Sequence, residues 1–472
     1  MIRALYVLAI AFGAASVAPP PGPVASSPPG PLSLRERGNE VRRSSPLSGT
    51  ERGSGDEDRR GATESGAGAD SARVAMLLSS LGRTDPVICD MIGDQLGNFW
   101  IGHNAAGLER FSDAPAGVQG AKDSLAGTIT DARAIRLLVA TLGTQNPCVR
   151  RVAAKLLGQS AVPNDVLREL LGSASPVIRE SAAYAAGHGE RRALRAALER
   201  GLSDTAAGPA TMAAWALAEI QDPAAAPALQ ASLHSPSPRV RLASVWALGQ
   251  FEDASYAKDV VPLLRDPDAL MRATAAQALG QMKSPRVGAA LIGALTDRND
   301  AVRRAAVSAL ADLHERAAVV PLEGLLLNDA DPEVRRACAH ALGDLSQARS
   351  LEPLARALGD QDVEVQRAAA DAIGDLDGVT KAPAALVKAS TSPDRELRRN
   401  ATRALAHIRD EATVPALTVR LGDDDKDVRL AAVEGLGEMK IAAAIPGLTR
   451  ALNDRDPEVR RAAAEALGKT DN

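Results

Sequence analysis

Large side chains are scarce in this chain. Although 45% of its 472 residues are apolar, it has only 3 Trp, 3 Tyr and 4 Phe. Length alone suggests about three ordinary domains, but globular cores take much of their buried area from aromatic side chains. A few large conventional cores are therefore excluded. Cysteine is equally sparse: Cys89, Cys148 and Cys338 lie far apart, fitting neither a disulfide framework nor a zinc cluster, and are expected to be buried small apolar residues. No excess of either charge exists, since 55 basic residues face 59 acidic ones for a net of -4. A basic field of the kind that binds nucleic acid is absent. Beyond the first residues, Pro, Gly, Ser or charged residues interrupt every stretch, which leaves no further membrane-spanning segment.

That start is a signal pattern. Arg3 precedes an apolar run from Ala4 to Val17, and Ser16-Val17-Ala18 offers small residues for cleavage before Pro19-Pro20-Pro21. Residues 1–18 are expected to be a signal peptide, making the protein exported, periplasmic or extracellular. From 19 to 71 the composition turns to Pro, Gly, Ser, Arg and Glu, which cannot bury enough surface to offset ordering entropy. This stretch is expected to be a disordered linker. Within it Pro31-Leu32-Ser33-Leu34-Arg35-Glu36-Arg37-Gly38 returns as Pro46-Leu47-Ser48-Gly49-Thr50-Glu51-Arg52-Gly53.

What is abundant is alanine, 93 residues of it, and a repeat. A Val-Arg pair followed by Leu-Gly anchors copies at Arg150, Arg179, Arg241, Arg272, Arg303, Arg335, Arg398, Arg429 and Arg460, with Ala210 and Gln366 in the same place in two more. Successive anchors are 29 to 32 residues apart. The last copy shows the local grammar: Asp456-Pro457-Glu458-Val459-Arg460 opens a helix with Asp as N-cap and Pro in the first turn. Val459, Ala463, Ala466 and Leu467 form its apolar side, and Gly468 is expected to end it. A second, proline-led helix runs through Ala444 to Leu452. One such pair cannot bury its faces alone, and stacked neighbours can. Three residues after each anchor stand Ala153, Ala182, Ala213, Ser244, Ala275, Ala306, Cys338, Ala369, Ala401, Ala432 and Ala463. A column with nothing larger than cysteine lets helices approach closely.

The pattern resembles the HEAT repeat, of the short type associated with phycobilisome lyase subunits. The resemblance implies an all-α fold, a right-handed α-solenoid of about eleven 31-residue two-helix repeats covering 146–472, preceded by an irregular N-terminal repeat or cap at 72–145. In that cap Asp85 to Gly97 reproduces the pattern once, 98–130 is an insertion, and a helix resumes at Asp131 to Leu142. The resemblance further implies that the Asp-Pro-x-Val-Arg helix lines the concave side. It also implies a structural ladder joining each Arg to turn residues such as Asp266, Asp297, Asp329, Asp360, Asp423 and Asp454.

Helical spacing puts positions one, five and nine after the anchor on one exposed stripe. The five-after column reads Lys155, Tyr184, Trp215, Trp246, Gln277, Ser308, His340, Asp371, Arg403, Glu434 and Glu465, so Tyr184, Trp215 and Trp246 are expected to be exposed anchors for a protein or peptide ligand. Their alternative is packing into the core. Arg304, Arg336, Arg367, Arg399 and Arg461 at one-after, with Asp312, Asp344, Asp375 and Glu438 at nine-after, would give a basic edge and an acidic edge. His340 and Arg403 complete the candidate surface. No catalytic constellation, cofactor loop or metal set stands out: the six histidines fall in scattered register with one His-Glu pair, His314-Glu315, whereas metal catalysis needs converging ligands. The sequence thus points to a non-enzymatic scaffold. A structural spacer or non-catalytic subunit of an envelope complex is the alternative, and a lyase-type or chaperone-like enzyme subunit comes third.

Overall fold

The structure is a computed structural model, and it describes residues 71–81 and 129–470. The expected signal peptide, all but the last residue of the linker, the copy at 85–97 and most of the 98–130 insertion lie outside the described residues. Every regular element among the described residues is helical. The chain divides between Leu194 and Arg195 into two compact units, a division inside the expected array.

In the first unit a helix at 71–81 buries Val74, Leu77 and Leu81, at the i, i+3, i+7 spacing of one helical face. Ala132–Thr141 follows, capped by the Asp131 carboxylate, which accepts the Arg133 amide at 2.9 Å. Pro147–Gln159 packs against Pro176–His188, with Asn164–Leu171 between them in sequence.

In the second unit a series of long helices runs Ala207–Ile220, Pro238–Gln250, Ala269–Gln281, Asp300–Asp312, Pro332–Leu345, Val363–Gly374, Arg395–Ile408, Lys426–Met439 and Pro457–Thr470. Each packs on the next, and a shorter helix lies between successive members. The starts are chemically specified. Asp331, for example, accepts the amides of Glu333 and Val334 at 2.8 and 3.1 Å, a cap worth about 1 kcal/mol. Asp268, Asn299, Asp362, Asp394 and Asp425 cap their own helices in the same way.

The small column is the seam. All eleven of its residues, Ser244 and Cys338 included, are no more than 1% exposed. Burial pushes the Cys338 thiol well above its ordinary range. Cys148, expected to be a simple buried thiol, is buried and is instead disulfide-bonded.

Glycine's expected role also changes. Gly343, Gly437 and Gly468 lie inside their helices, which continue to Leu345, Met439 and Thr470. Where a further copy follows, the column serves close approach: a Cβ on Gly280 would sit 2.8 Å from Ala309 Cα and one on Gly437 2.5 Å from Ala466 Cβ, whereas one on Gly468 would meet nothing within 4 Å. The chain turns three residues after this column, at Glu252, Lys283, His314, Ser346, Arg409 and Lys440, all at φ between 48 and 54°. Non-glycine residues thus hold the left-handed conformation at these turns, while Gly378 at φ 74° is the positive-φ residue after Val363–Gly374.

Candidate functional site

The expected Arg-Asp ladder is present as paired forks. Arg272 grips Asp297 through Nε at 2.7 Å and Nη2 at 2.8 Å, while its Nη1 donates to the Asp266 carbonyl of its own turn at 2.9 Å. The same geometry joins Arg303 to Asp329, Arg335 to Asp360, Arg398 to Asp423, and Arg429 to Asp454. The Arg272 hydrogen bonds hold the Asp297 carboxyl below the usual carboxylate range, against the opposing effect of burial.

Where the anchor is Gln366, the ladder is rewired. Gln366 Nε2 keeps only the turn contact, to the Asp360 carbonyl at 2.6 Å, and the downstream turn carries Ser392 in place of Asp. Arg367, one residue on, takes over and binds the N-cap Asp394 through Nε at 2.9 Å and Nη2 at 2.6 Å. It also pairs with Glu364 and Glu396. Arg367 is therefore a structural residue, not one side of an open basic edge. Arg336 is likewise paired with Glu333 at 2.5 Å, and Arg399 lies within 3.8 Å of Glu396 and 3.6 Å of Asp427. Three of the four candidate arginines are neutralised by carboxylates of their own or the next copy. The sequence hid this because those partners sit in the first turns, outside the columns compared. Arg403 is exposed and makes no ion pair among the described residues.

The aromatic column is corrected as well. Trp215 is 8% exposed and Trp246 6%, so neither stands out as a free anchor. Tyr184, in the first unit, is half-buried and packs edge-on against His188, ring centroids 4.4 Å apart. Burial first, and Lys155 second, lower the His188 pKa to about 4. Even Lys155, in the same column, is only 5% exposed. A signal for this existed. From Ala207 to Ala218 and from Leu242 to Gln250 there is no charged residue, and a helix without a charged face is a buried one. The helical wheel records where a Cβ points; it does not record whether anything keeps that side in water.

Farther along, the stripe does face solvent. Ser308, His340, Asp371, Arg403, Glu434 and Glu465 are exposed on successive long helices, as are Asp312, Asp344 and Asp375. Partial desolvation, then the Asp344 carboxylate, raise the Asp312 carboxyl above its ordinary range. Desolvation followed by Asp371 and Asp344 raise Asp375. His407 contacts the Gly374 carbonyl beside it through Nδ1. Among the described residues no group of three or more His, Cys, Asp or Glu side chains could hold a metal ion, and no helix is long and apolar enough to cross a membrane.

HEAT repeats match the chain over residues 164–237, 230–311, 288–373, 319–391, 352–430 and 415–472. The chain belongs to the HEAT-repeat family. Its fold, a solenoid of helix pairs, is that of importin β crystallised in ammonium sulfate, at TM-score 0.52 and 14% identity over 87% of this chain and 65% of that one. A second match is the Kap95p–RanGDP structure, at TM-score 0.51 and 12% identity over 88% of this chain. This chain spans only 65% of the length of those importin-β chains. The CpcE–CpcF complex of phycocyanin lyase from Nostoc is similar at 24% identity over 52% of this chain and 93% of that one, TM-score 0.32. No curated protein sequence matches the chain.

Proposed function

We propose that this HEAT-repeat chain is a non-catalytic scaffold that binds a protein or peptide along the solvent-facing stripe of its long helices. The observation that carries the reading is the row His340, Asp371, Arg403 and Glu434, exposed in four successive copies beside Asp312, Asp344 and Asp375. Stacked helices hold such a row at a fixed pitch of about 10 Å, and a rigid, mixed-charge row of that kind sets partner register and orientation. HEAT solenoids commonly use extended surfaces in this way. The neutralised Arg336, Arg367 and Arg399 leave the row acidic on balance, so the partner presents basic and polar groups there.

Export is part of the proposal. The signal pattern at 1–18 supports it, and so does the disulfide at Cys148, because disulfides persist in oxidising compartments. The reading includes neither nucleic acid as a partner nor a cofactor.

The test is capture of partners from envelope extract by wild type and by a His340→Ala, Asp371→Lys, Arg403→Glu variant. The variant loses the captured partner while melting at the wild-type temperature. Equal capture by both sinks the proposal and favours a structural spacer.

A further inference from the structure

One seam in the second unit combines three departures from the regular copies. The first is a proline out of place. In most copies the short helix carries its proline 17 or 18 residues after the anchor, as Pro227, Pro321, Pro353, Pro415 and Pro446. There it occupies the first turn, where its missing N–H costs nothing. After Arg241 the proline is Pro262, 21 residues on, one helical turn too deep. A proline in a helix interior removes a hydrogen bond and clashes with the carbonyl four residues back. The short helix accordingly stops after four residues, Ala257–Val260, and continues as a 3₁₀ segment, Val261–Arg265.

The second departure follows that segment. Arg241 and Asp266 stand 25 residues apart, the separation that joins Arg272 to Asp297 and Arg335 to Asp360. Yet Arg241 bonds only the carbonyls of its own turn, Ser235 at 2.9 Å and Pro236 at 3.3 Å, and Asp266 caps the Asp268 amide alone at 2.8 Å. Both halves of the fork are present in register, and the fork is open. The tighter winding of the 3₁₀ segment, with about 2.0 Å rise per residue against 1.5 Å, displaces the carboxylate that ends it.

The third departure lies on the two long helices that flank the seam. Trp246 Nε1 on Pro238–Gln250 and Thr274 Oγ1 on Ala269–Gln281 are buried donors without a hydrogen-bond partner. Beyond the close approach of Gly249 to Ala278, the ends of those helices are linked by flexible side chains, Gln250 to Gln281 at 3.1 Å and Glu252 to Lys283 at 2.7 Å. Buried polar groups left unpaired cost free energy and mark an arrangement that another packing would satisfy better.

We infer that this seam is a hinge built into the array, with Pro262 holding the Arg241–Asp266 fork open. A 3₁₀ interruption is a common hinge element. Rewinding Val261–Arg265 into the α-helix brings Asp266 back to its usual place and closes the fork. The hinge adjusts the copies that bury Trp215 and Trp246 against those that bear the exposed charged row. It does not depend on the row being a binding site.

Hydrogen exchange on the full chain tests it, comparing wild type with Pro262→Ala and with Lys258→Pro plus Pro262→Ala, which restores the proline register of Pro227. In wild type the amides of Leu263 to Asp266 exchange about tenfold faster or more than those of Leu325 to Asn328 in the unbroken short helix. Both variants slow the first set by about tenfold, and adding Asp266→Asn to either removes part of that protection. Unchanged exchange in both variants overturns the inference, as does protection at Leu263 to Asp266 in wild type equal to that at Leu325 to Asn328.

Discussion

Two stretches of the second unit are built from the same repeat and held together differently. Between Arg195 and Arg265 the long helices carry no charge at their five-after positions, bury Trp215 and Trp246, and have no closed fork from an anchor arginine, the Arg-Asp pair there being Arg195 with Asp222 at 2.9 Å. From Asp300 onward the same positions carry exposed polar residues, and forks join successive copies from Arg272 to Asp454. The first stretch relies on large apolar side chains spread over alanine. The second relies on directional ion pairs at one end of each helix, which leaves the other side free to vary. Surface is thus available for binding where the ladder bears the stacking, and is consumed by the core where it does not.

Substitutions break this comparison at different depths. Trp215→Ala with Trp246→Ala has the largest effect, at about 3–5 kcal/mol per residue. In chemical unfolding the first stretch should come apart before the rest; a wild-type unfolding curve would show that the rings are surface groups after all. Asp297→Asn comes next, because the Arg272 side chain, only 7% exposed, loses its carboxylate. The expected cost is about 3 kcal/mol, whereas Asp266→Asn, on the open fork, costs less than about 0.5 kcal/mol. Equal losses at the two positions would erase the distinction between the stretches. Ala369→Leu overfills the small column and costs about 1–3 kcal/mol in the same measurement.

The pH response separates two kinds of aspartate. The Asp297 and Asp394 carboxyls are lowered, first by the hydrogen bonds of Arg272 and Arg367. Their stabilisation is complete above the ordinary carboxylate pKa and is lost as pH falls through their depressed values. Asp312 and Asp375 are raised, so their contribution is present in acid and lost as pH rises through their elevated values. His188, lowered to about 4, removes stability from the first unit as pH falls from about 6.5 toward 4. Asp312→Asn should therefore raise stability slightly at pH 7, by less than about 1 kcal/mol, and Asp297→Asn should lower it. Melting curves from pH 4 to 8 distinguish the two, and a shift of the same sign for both would contradict the assignment. A comparably small effect is expected of Lys440→Gly, which relieves a left-handed residue at φ 52° and raises stability by up to about 1 kcal/mol.

How much of this was legible in sequence depended on the interaction. The repeat, the caps and the small column follow from local chemistry at fixed spacing, so Asp331, Ala369 and Asp454 could be placed without a structure. Gly468 was expected to end its helix, which runs on to Thr470; a glycine near a helix end serves either a turn or a close contact, and at Gly343 only the neighbouring Ala372 decides. The aromatic site failed on Trp215 and Trp246 because an exposed column in most copies was extended to copies lacking charge. The basic edge failed at Arg367 because its partner Asp394 is 27 residues away, in a first turn that no column comparison included.

The measurement that bears most directly on the scaffold reading is a hydrogen-exchange footprint of the chain with its captured partner. The account predicts protection concentrated on the long helices from Asp300–Asp312 to Lys426–Met439, lost with the His340, Asp371 and Arg403 substitutions. Protection confined to the short helices, or retained in full by that variant, would contradict it.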